Sequence, residues 1–231
     1  MSRALVLFSG GLDSTTALAM AINKYGKDNV VALSVSYGQK HVKEIEASNK
    51  IASYYGVEHI FLDLAKIFAY SNCSLLSQNA DIDVPEGDYS KQLQELNGGT
   101  LSTYVPFRNG LFLSSAASIA LSKNCDIIYY GAHADDAAGE AYPDCSPEFT
   151  KAINDAIYLG SGKKVSVVGP FVNMHKADIV KIGLDLKVPY ELTWSCYEGH
   201  DKACGRCGTC IDRIKAFEAN GVKDPIEYEE K

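Results

Sequence analysis

The chain has 231 residues, with 22 basic and 29 acidic side chains and a formal charge of −7. That balance argues against a protein that grips duplex nucleic acid mainly through phosphate contacts, leaving room only for a local basic strip. Apolar residues make up 46% and charged residues 22%, values that exclude a disordered or fibrous chain and suit one domain with attachments or two small ones.

A chain of this length can bury about 70–75% of its unfolded surface, enough for a full core. No window of about 20 apolar residues occurs, so no membrane-spanning helix is expected. The start, MSRALVLFSGG, lacks the long apolar segment and small-residue cleavage site of a signal peptide, which points to the cytoplasm.

In chain order, residues 3–8 (RALVLF) predict a buried strand that ends at Ser-Gly-Gly. A helix over 13–25 follows, with Leu18, Ala21, Ile22 and Tyr25 on one face and Gly26 as its stop. Residues 30–37 predict a second strand. Residues 40–55 predict a second helix with Ile45, Ala52 and Tyr55 in a stripe, ending at Gly56. Residues 59–62 predict a short third strand. Residues 71–104 are polar without clear periodicity and read as a long insertion or lid, partly mobile. Residues 110–122 predict a helix that is apolar nearly all round and therefore buried. Strands are expected over 126–130 and 165–168, and a helix over 175–187 that gathers Ile179, Val180, Gly183 and Leu184. No internal repeat or low-complexity tract is present.

Strands separated by helices of this length imply crossover connections. The expected fold is α/β: an open, doubly wound, Rossmann-like parallel sheet with helices on both faces. Ligands in such folds bind beyond the carboxyl ends of the strands, so the loops after Phe8, Tyr130 and Val168 are expected near the site. The expected division is a nucleotide-binding and catalytic domain over 1–189 and a small C-terminal four-cysteine module over 190–231.

SGGLDS, residues 9–14, lies directly between the first strand and the first helix. Its two glycines open backbone conformations closed to other residues and remove side chains that would block an anion. Successive N–H groups can converge there, with the helix dipole behind them. Ser9, Ser14 and Thr15 add hydroxyl donors. This is the chemistry of phosphate binding; the bland alternative is a tight turn with Asp13 as an N-cap. The chain has no GxxxxGK[ST], whose lysine grips phosphates for terminal transfer.

Seven cysteines is an odd number, and four of them follow the spacing C-x7-C-x2-C-x2-C: Cys196, Cys204, Cys207 and Cys210. In a reducing compartment such crowding favours metal over disulfides. Four thiolates form a closed tetrahedral site, expected to hold one structural zinc ion. An iron–sulfur cluster is the alternative, although the fourth cysteine lies upstream and no Cys-Pro follows Cys210. His200 lies within the loop but four cysteines leave it no vacancy, so it reads as a surface residue. Cys73, Cys125 and Cys145 are isolated, and Cys125 reads as core.

Several polar residues fall between these motifs. Gln39 and Lys40 either line a nucleotide pocket or begin a solvated helix. Arg108 and Asn109 stand just before a buried helix, where a guanidinium is electrostatically unhelpful, which favours a nearby anionic ligand. In GAHADDAAGEAYPDC, residues 131–145, a carboxylate can pair the N–H edge of a guanine-like ring. The candidates are Asp135, Asp136, Tyr142 and Asp144, with a helix cap as the alternative for the Asp-Asp pair. Lys176 either reaches an α-phosphate or is a surface lysine.

SGGLDS resembles the pyrophosphate-binding loop, SGGxDS, of the N-type ATP pyrophosphatases. The resemblance implies that the loop holds the β,γ-pyrophosphate of ATP as leaving group, that Mg²⁺ bridges the phosphates, and that the adenylyl group passes to the substrate. It carries the ATP site onto Phe8, Ser9, Gly10, Gly11, Leu12, Asp13, Ser14, Thr15, Thr16, Ala17 and Leu18.

Taken with YGQKH (37–41), VPFRN (105–109), YPDC (142–145) and the four cysteines, nearly the whole chain resembles the 7-cyano-7-deazaguanine synthase family of queuosine biosynthesis. What this implies is an ATP-dependent carbon–nitrogen ligase. It would join 7-carboxy-7-deazaguanine and ammonia into the nitrile through an adenylated acid and an adenylated amide, releasing AMP and pyrophosphate. Asp13, Lys176 and Arg108 would be catalytic. Phe107, Arg108, Asn109, Asp135, Asp136, Tyr142 and Asp144 would bind substrate. The resemblance further implies a homodimer, while the acidic charge and the lack of an apolar span predict no nucleic acid and no membrane partner. The run EAYPDCS departs from the family's GYPDCR at Ser146; if that arginine contacts substrate elsewhere, Arg108 stands in for it here. Two rivals exist: a tRNA-thiolating enzyme, which would need a sulfur-handling cysteine and an RNA surface, and a zinc-knuckle module with a non-catalytic nucleotide site.

Overall fold

β1 (Ala4–Leu7) has every residue buried, as a central parallel strand covered on both faces requires. In the computed structural model, which describes residues 2–40, 43–79, 81, 87, 101–137, 141–198 and 201–230, it is the middle of a five-stranded sheet. β2 (Val30–Ser36), β3 (Glu58–Asp63), β4 (Ile127–Tyr129) and β5 (Ser166–Val168) complete the sheet in the order β3-β2-β1-β4-β5. All four pairings are parallel, and Ala4 of β1 sits opposite Val30 on one side and Ile127 on the other. The chain thus builds outward one way through β2 and β3, then returns past β1 to add β4 and β5. This is the expected doubly wound α/β arrangement.

Seven α-helices are described: α1 (Leu12–Tyr25), α2 (Lys43–Tyr55), α3 (Arg108–Ser122), α4 (Ala134–Ala137), α5 (Pro147–Gly160), α6 (Lys176–Asp185) and α7 (Gly208–Ala219). Alternate residues of β1 point to opposite faces and seed two apolar layers. Ala4 and Val6 join Leu18, Ile179, Val180, Tyr190 and Phe217 from the side of α1, α6 and α7. Leu5 and Leu7 join Leu113, Ala116, Tyr130 and Ile157 from the side of α3 and α5. Fully burying such a side chain contributes about 1.5–3 kcal/mol. None of the described helices is long and apolar enough to cross a membrane.

Four expectations need adjustment. α3 is buried along one stripe only (Gly110, Leu113, Ala116 and Ala120), while Leu121 is exposed. One helix layer lies on this part of the sheet, so its outer face meets solvent. α5 and α7 were not expected. α5 is the crossover between β4 and β5, started by Ser146, whose Oγ accepts from Phe149 N at 3.1 Å; this is what the serine at the departing position does. Part of the 71–104 segment is core: Cys73, Leu75 and Leu76 are buried with Tyr37, Phe68 and Val105. From residue 80 onward, save 81 and 87, that segment lies outside the described residues until 101.

The C-terminal residues share the main core. Ala216 and Phe217 of α7 belong to the same layer as Leu18 and Ile179. Arg213, 1% exposed, donates to both Asp224 oxygens at 2.7 and 3.0 Å, to Thr193 Oγ1 at 2.7 Å and to Tyr190 O at 3.1 Å.

Candidate active site

Beyond the carboxyl ends of β1, β2 and β4 opens a cavity of about 230 Å³. It lies at the point where the sheet's build direction reverses, which is where doubly wound sheets hold ligands. Ser9, Gly11, Leu12, Asp13 and Ser14 form one wall and Tyr130–Ala132 another.

The loop of residues 9–14 has the geometry of an anion cradle. Gly10 has φ +85°, and a Cβ there would lie 2.5 Å from Ser48 N and 2.9 Å from Glu44 O of α2; only glycine fits. Gly131 lets the end of β4 approach α1, where a Cβ would lie 3.2 Å from Ser14 N. Ser9 N donates to Ser14 Oγ at 3.2 Å and Gly11 N to Ser9 Oγ at 3.2 Å, which fixes both hydroxyls at the helix start. Gly11 is the N-cap of α1 and provides no side-chain cap. Asp13 is therefore not the cap that the alternative reading made it; it stands in the first turn. The first-turn N–H groups have no acceptor within the helix and are open to an anion.

Asp13 Oδ2 lies 3.5 Å from Lys176 Nζ and 3.7 Å from His133 Nε2, while its buried Oδ1 has no partner. Lys176 is 8% exposed, so it is not a surface lysine. Burial opposes its charge, but Asp13 and Asp136 outweigh that and hold the ammonium above its ordinary value. Asp136 lines the cavity and sits 3.2 Å from His133 Nε2. Its neighbour Asp135 faces elsewhere, accepting from His175 Nδ1 at 2.6 Å and from Lys176 N at 2.8 Å. Asp135 thus bonds the first N–H of α6, while Asp136 faces the cavity.

Arg108 and Asn109 begin α3 and line the cavity. The Arg108 guanidinium lies 5.3 Å from the Tyr37 ring centroid, and Nη1 donates to Tyr37 Oη at 3.5 Å. Tyr142 also lines it, its hydroxyl 2.6 Å from Thr103 Oγ1. Asp144 does not: it is buried and accepts from Asn109 N at 2.8 Å. Phe107 is more than half exposed, with φ +54° and its ring edge-on to Phe149. Gln39 lines the cavity, its Oε1 accepting from Tyr37 N at 2.9 Å. Gly10, Thr15, Thr16, Ala17 and Leu18 lie behind the wall, with Thr16 Oγ1 2.8 Å from Tyr190 Oη.

The Cys196, Cys204, Cys207 and Cys210 sulfurs are buried and lie within 4.8 Å of one another. Backbone N–H groups of Glu198, Cys204, Arg206 and Cys207 point at Cys196 or Cys204 Sγ at 3.3–3.4 Å. Four convergent sulfurs bonded by N–H groups fit a four-coordinate metal held by thiolates. His200 lies outside the described residues. The cluster is tied to the cavity. Trp194, Ser195, Tyr197 and Thr209 line it, Trp194 N donates to Gly10 O at 3.1 Å, and Thr209 Oγ1 donates to Ser195 O at 2.8 Å.

The sequence model of the family described as Queuosine biosynthesis protein QueC matches residues 3–221. The chain belongs to the QueC family. It is 42% identical to the 7-cyano-7-deazaguanine synthase of Pseudoalteromonas atlantica over 229 residues, 99% of this chain and 100% of the relative. To that of Archaeoglobus fulgidus it is 44% identical over 230 residues, 99% of this chain and 91% of the relative. Two solved structures share the fold alone. The U34-tRNA thiolase NcsA from Methanococcus maripaludis with its [4Fe-4S] cluster has TM-score 0.50 at 18% identity, covering 85% of this chain and 61% of its own. The NMN synthetase from Francisella tularensis has TM-score 0.52 at 15% identity, covering 96% and 78%.

In this QueC chain the cavity and the layer behind its wall also hold residues that the motifs do not mark. Glu44 lines it, and burial pushes its carboxyl up to about 7, with Arg108 pulling the other way. His133, 2% exposed, stands between Asp13 and Asp136. Trp194 lies under Lys43, whose Nζ is 4.6 Å from a ring centroid. The only signals for them were an acid one turn after YGQKH, a histidine between a strand and two acids, and the chain's one tryptophan.

Proposed function

We propose that this chain converts 7-carboxy-7-deazaguanine and ammonia to 7-cyano-7-deazaguanine, using ATP twice and releasing AMP and pyrophosphate. The observation that carries this reading is the open N-terminal turn of α1 facing a cavity shared by Asp13, Lys176 and Arg108. A carboxylate is a poor electrophile because oxide would have to leave. Adenylation makes that oxygen a good leaving group, and ammonia then gives the amide. Adenylating the amide oxygen and eliminating AMP leaves the nitrile.

In this reading the loop N–H groups and the Ser9 and Ser14 hydroxyls bind the pyrophosphate, which carries its Mg²⁺ with it. Lys176, oriented by Asp13, bears on the α-phosphate, where negative charge develops. Arg108 binds the substrate carboxylate. Asp136 and Tyr142, which line the cavity, meet the deazapurine, whereas Asp135 and Asp144 do not line it. Cys196, Cys204, Cys207 and Cys210 would hold one structural zinc ion. A homodimer completes the reading, checked by sedimentation.

Cys73, Cys125 and Cys145 are buried, and burial pushes each thiol up. That is the wrong direction for a sulfur-handling thiolate and disfavours tRNA thiolation. The deciding experiment measures AMP and pyrophosphate released by the purified protein. Release that requires 7-carboxy-7-deazaguanine is expected; release that requires only tRNA would replace this reading with thiolation.

A further inference from the structure

Three carboxylates line the cavity: Asp13, Glu44 and Asp136. Asp13 faces Lys176 and His133, and Asp136 faces His133. Among the described residues the Glu44 carboxylate has neither a hydrogen-bond nor an ion-pair partner. It is nevertheless held close to the loop, because Glu44 O lies 2.9 Å from the point a Gly10 Cβ would occupy. An unpaired carboxylate in a cavity is costly to fold around and marks a group kept for chemistry.

Amide formation calls for such a group. Nitrogen that has attacked an acyl adenylate carries a surplus proton, and the amide forms only when that proton leaves. Arg108 stays protonated and cannot accept it. Lys176 is held charged by Asp13 and Asp136. His133 is 2% exposed and forms no part of the cavity wall.

We propose that Glu44 is the proton acceptor for the attacking nitrogen in the amide-forming step, a role that rests on the reaction proposed above. The nitrogen lone pair forms the C–N bond, one N–H proton passes to the Glu44 carboxylate, and the C–O bond to AMP breaks with its electrons leaving on AMP. The carboxylic acid then returns its proton to water. Burial that pushes Glu44 up to about 7 gives it the basicity of a useful acceptor at neutral pH.

The test separates adenylation from attack. Exchange of labelled pyrophosphate into ATP, dependent on 7-carboxy-7-deazaguanine, reads adenylate formation. Amide yield with ammonia reads attack. Hydroxylamine is weakly basic, so its adduct nitrogen is more acidic and sheds the surplus proton to water; it reads attack that leans less on a protein base. In Glu44→Gln, ammonia-dependent amide formation should fall by ~100-fold or more, while exchange and hydroxamate formation each fall by less than about tenfold. Glu44→Asp, which keeps the carboxylate, should recover part of the ammonia reaction and guards against a Gln variant that fails to fold. Ammonia turnover within about tenfold of wild type, or equal losses in all three assays, overturns the proposal. Wild-type protein without exchange would instead sink the parent reading before any variant is made.

Discussion

Replacing Glu44 by glutamine should raise stability above neutral pH. The folded carboxyl titrates at about 7 against an ordinary value of 4.5. Between those values the folded protein keeps a proton the unfolded chain has released, so stability falls as pH rises, by about 3 kcal/mol at most. Glu44→Gln escapes that fall. Urea unfolding at pH 5 and pH 8 checks it, and a gap between variant and wild type that does not widen at pH 8 contradicts it. Replacing Asp13 and Ser14 together by alanine should abolish AMP release while leaving the circular dichroism unchanged, because both stand in the cavity wall; retained release contradicts the loop's role. Asp13 and Ser14 were legible as residues of the cavity because their motif is local in the chain, whereas Lys176 was legible only as one of two alternatives at a helix start. Glu44 and His133 were not, because packing of α2 and β4 against the loop is what brings them to it.

At the scale of elements, the turn at 190–195 hangs on Arg213. Its guanidinium bonds Asp224, Thr193 and Tyr190 in full burial. Arg213→Leu should cost about 3–5 kcal/mol, since it strands a buried Asp224. Adding Asp224→Asn should recover part of that loss, measured by chemical unfolding; additive losses would contradict the pairing. The strands were legible as apolar runs bounded by glycine. α5 was not, although Phe149, Ile153 and Ile157 repeat every four residues behind the Ser146–Pro147 start. α7 hid behind the cysteine spacing, because the same residues that make the knuckle also begin the helix.

Across the whole molecule, the parallel, doubly wound sheet follows from alternating strands and crossover helices, and that much was expected. The merging of the cysteine segment with the main core was not legible, since it depends on Phe217 meeting Tyr190 across the chain, ring centroids 5.2 Å apart. Cys207→Ser should lower both metal content and the unfolding midpoint. Atomic absorption with thermal melting checks this, and a variant that keeps full metal and full stability would contradict the four-sulfur assignment. Chelating the wild-type protein should reduce AMP release along with stability, because Trp194 and Ser195 form cavity wall directly beside Cys196.

The 3.1 Å bond from Trp194 N to Gly10 O makes a single main-chain span of what look like separate parts. If the four sulfurs hold an ion and the loop holds phosphate, as proposed, then oxidising the thiols or removing the ion would slacken that loop from behind. On that reading, loss of the ion would weaken nucleotide affinity and stability together, so supply of the ion would bear on the chemistry as well as on the fold.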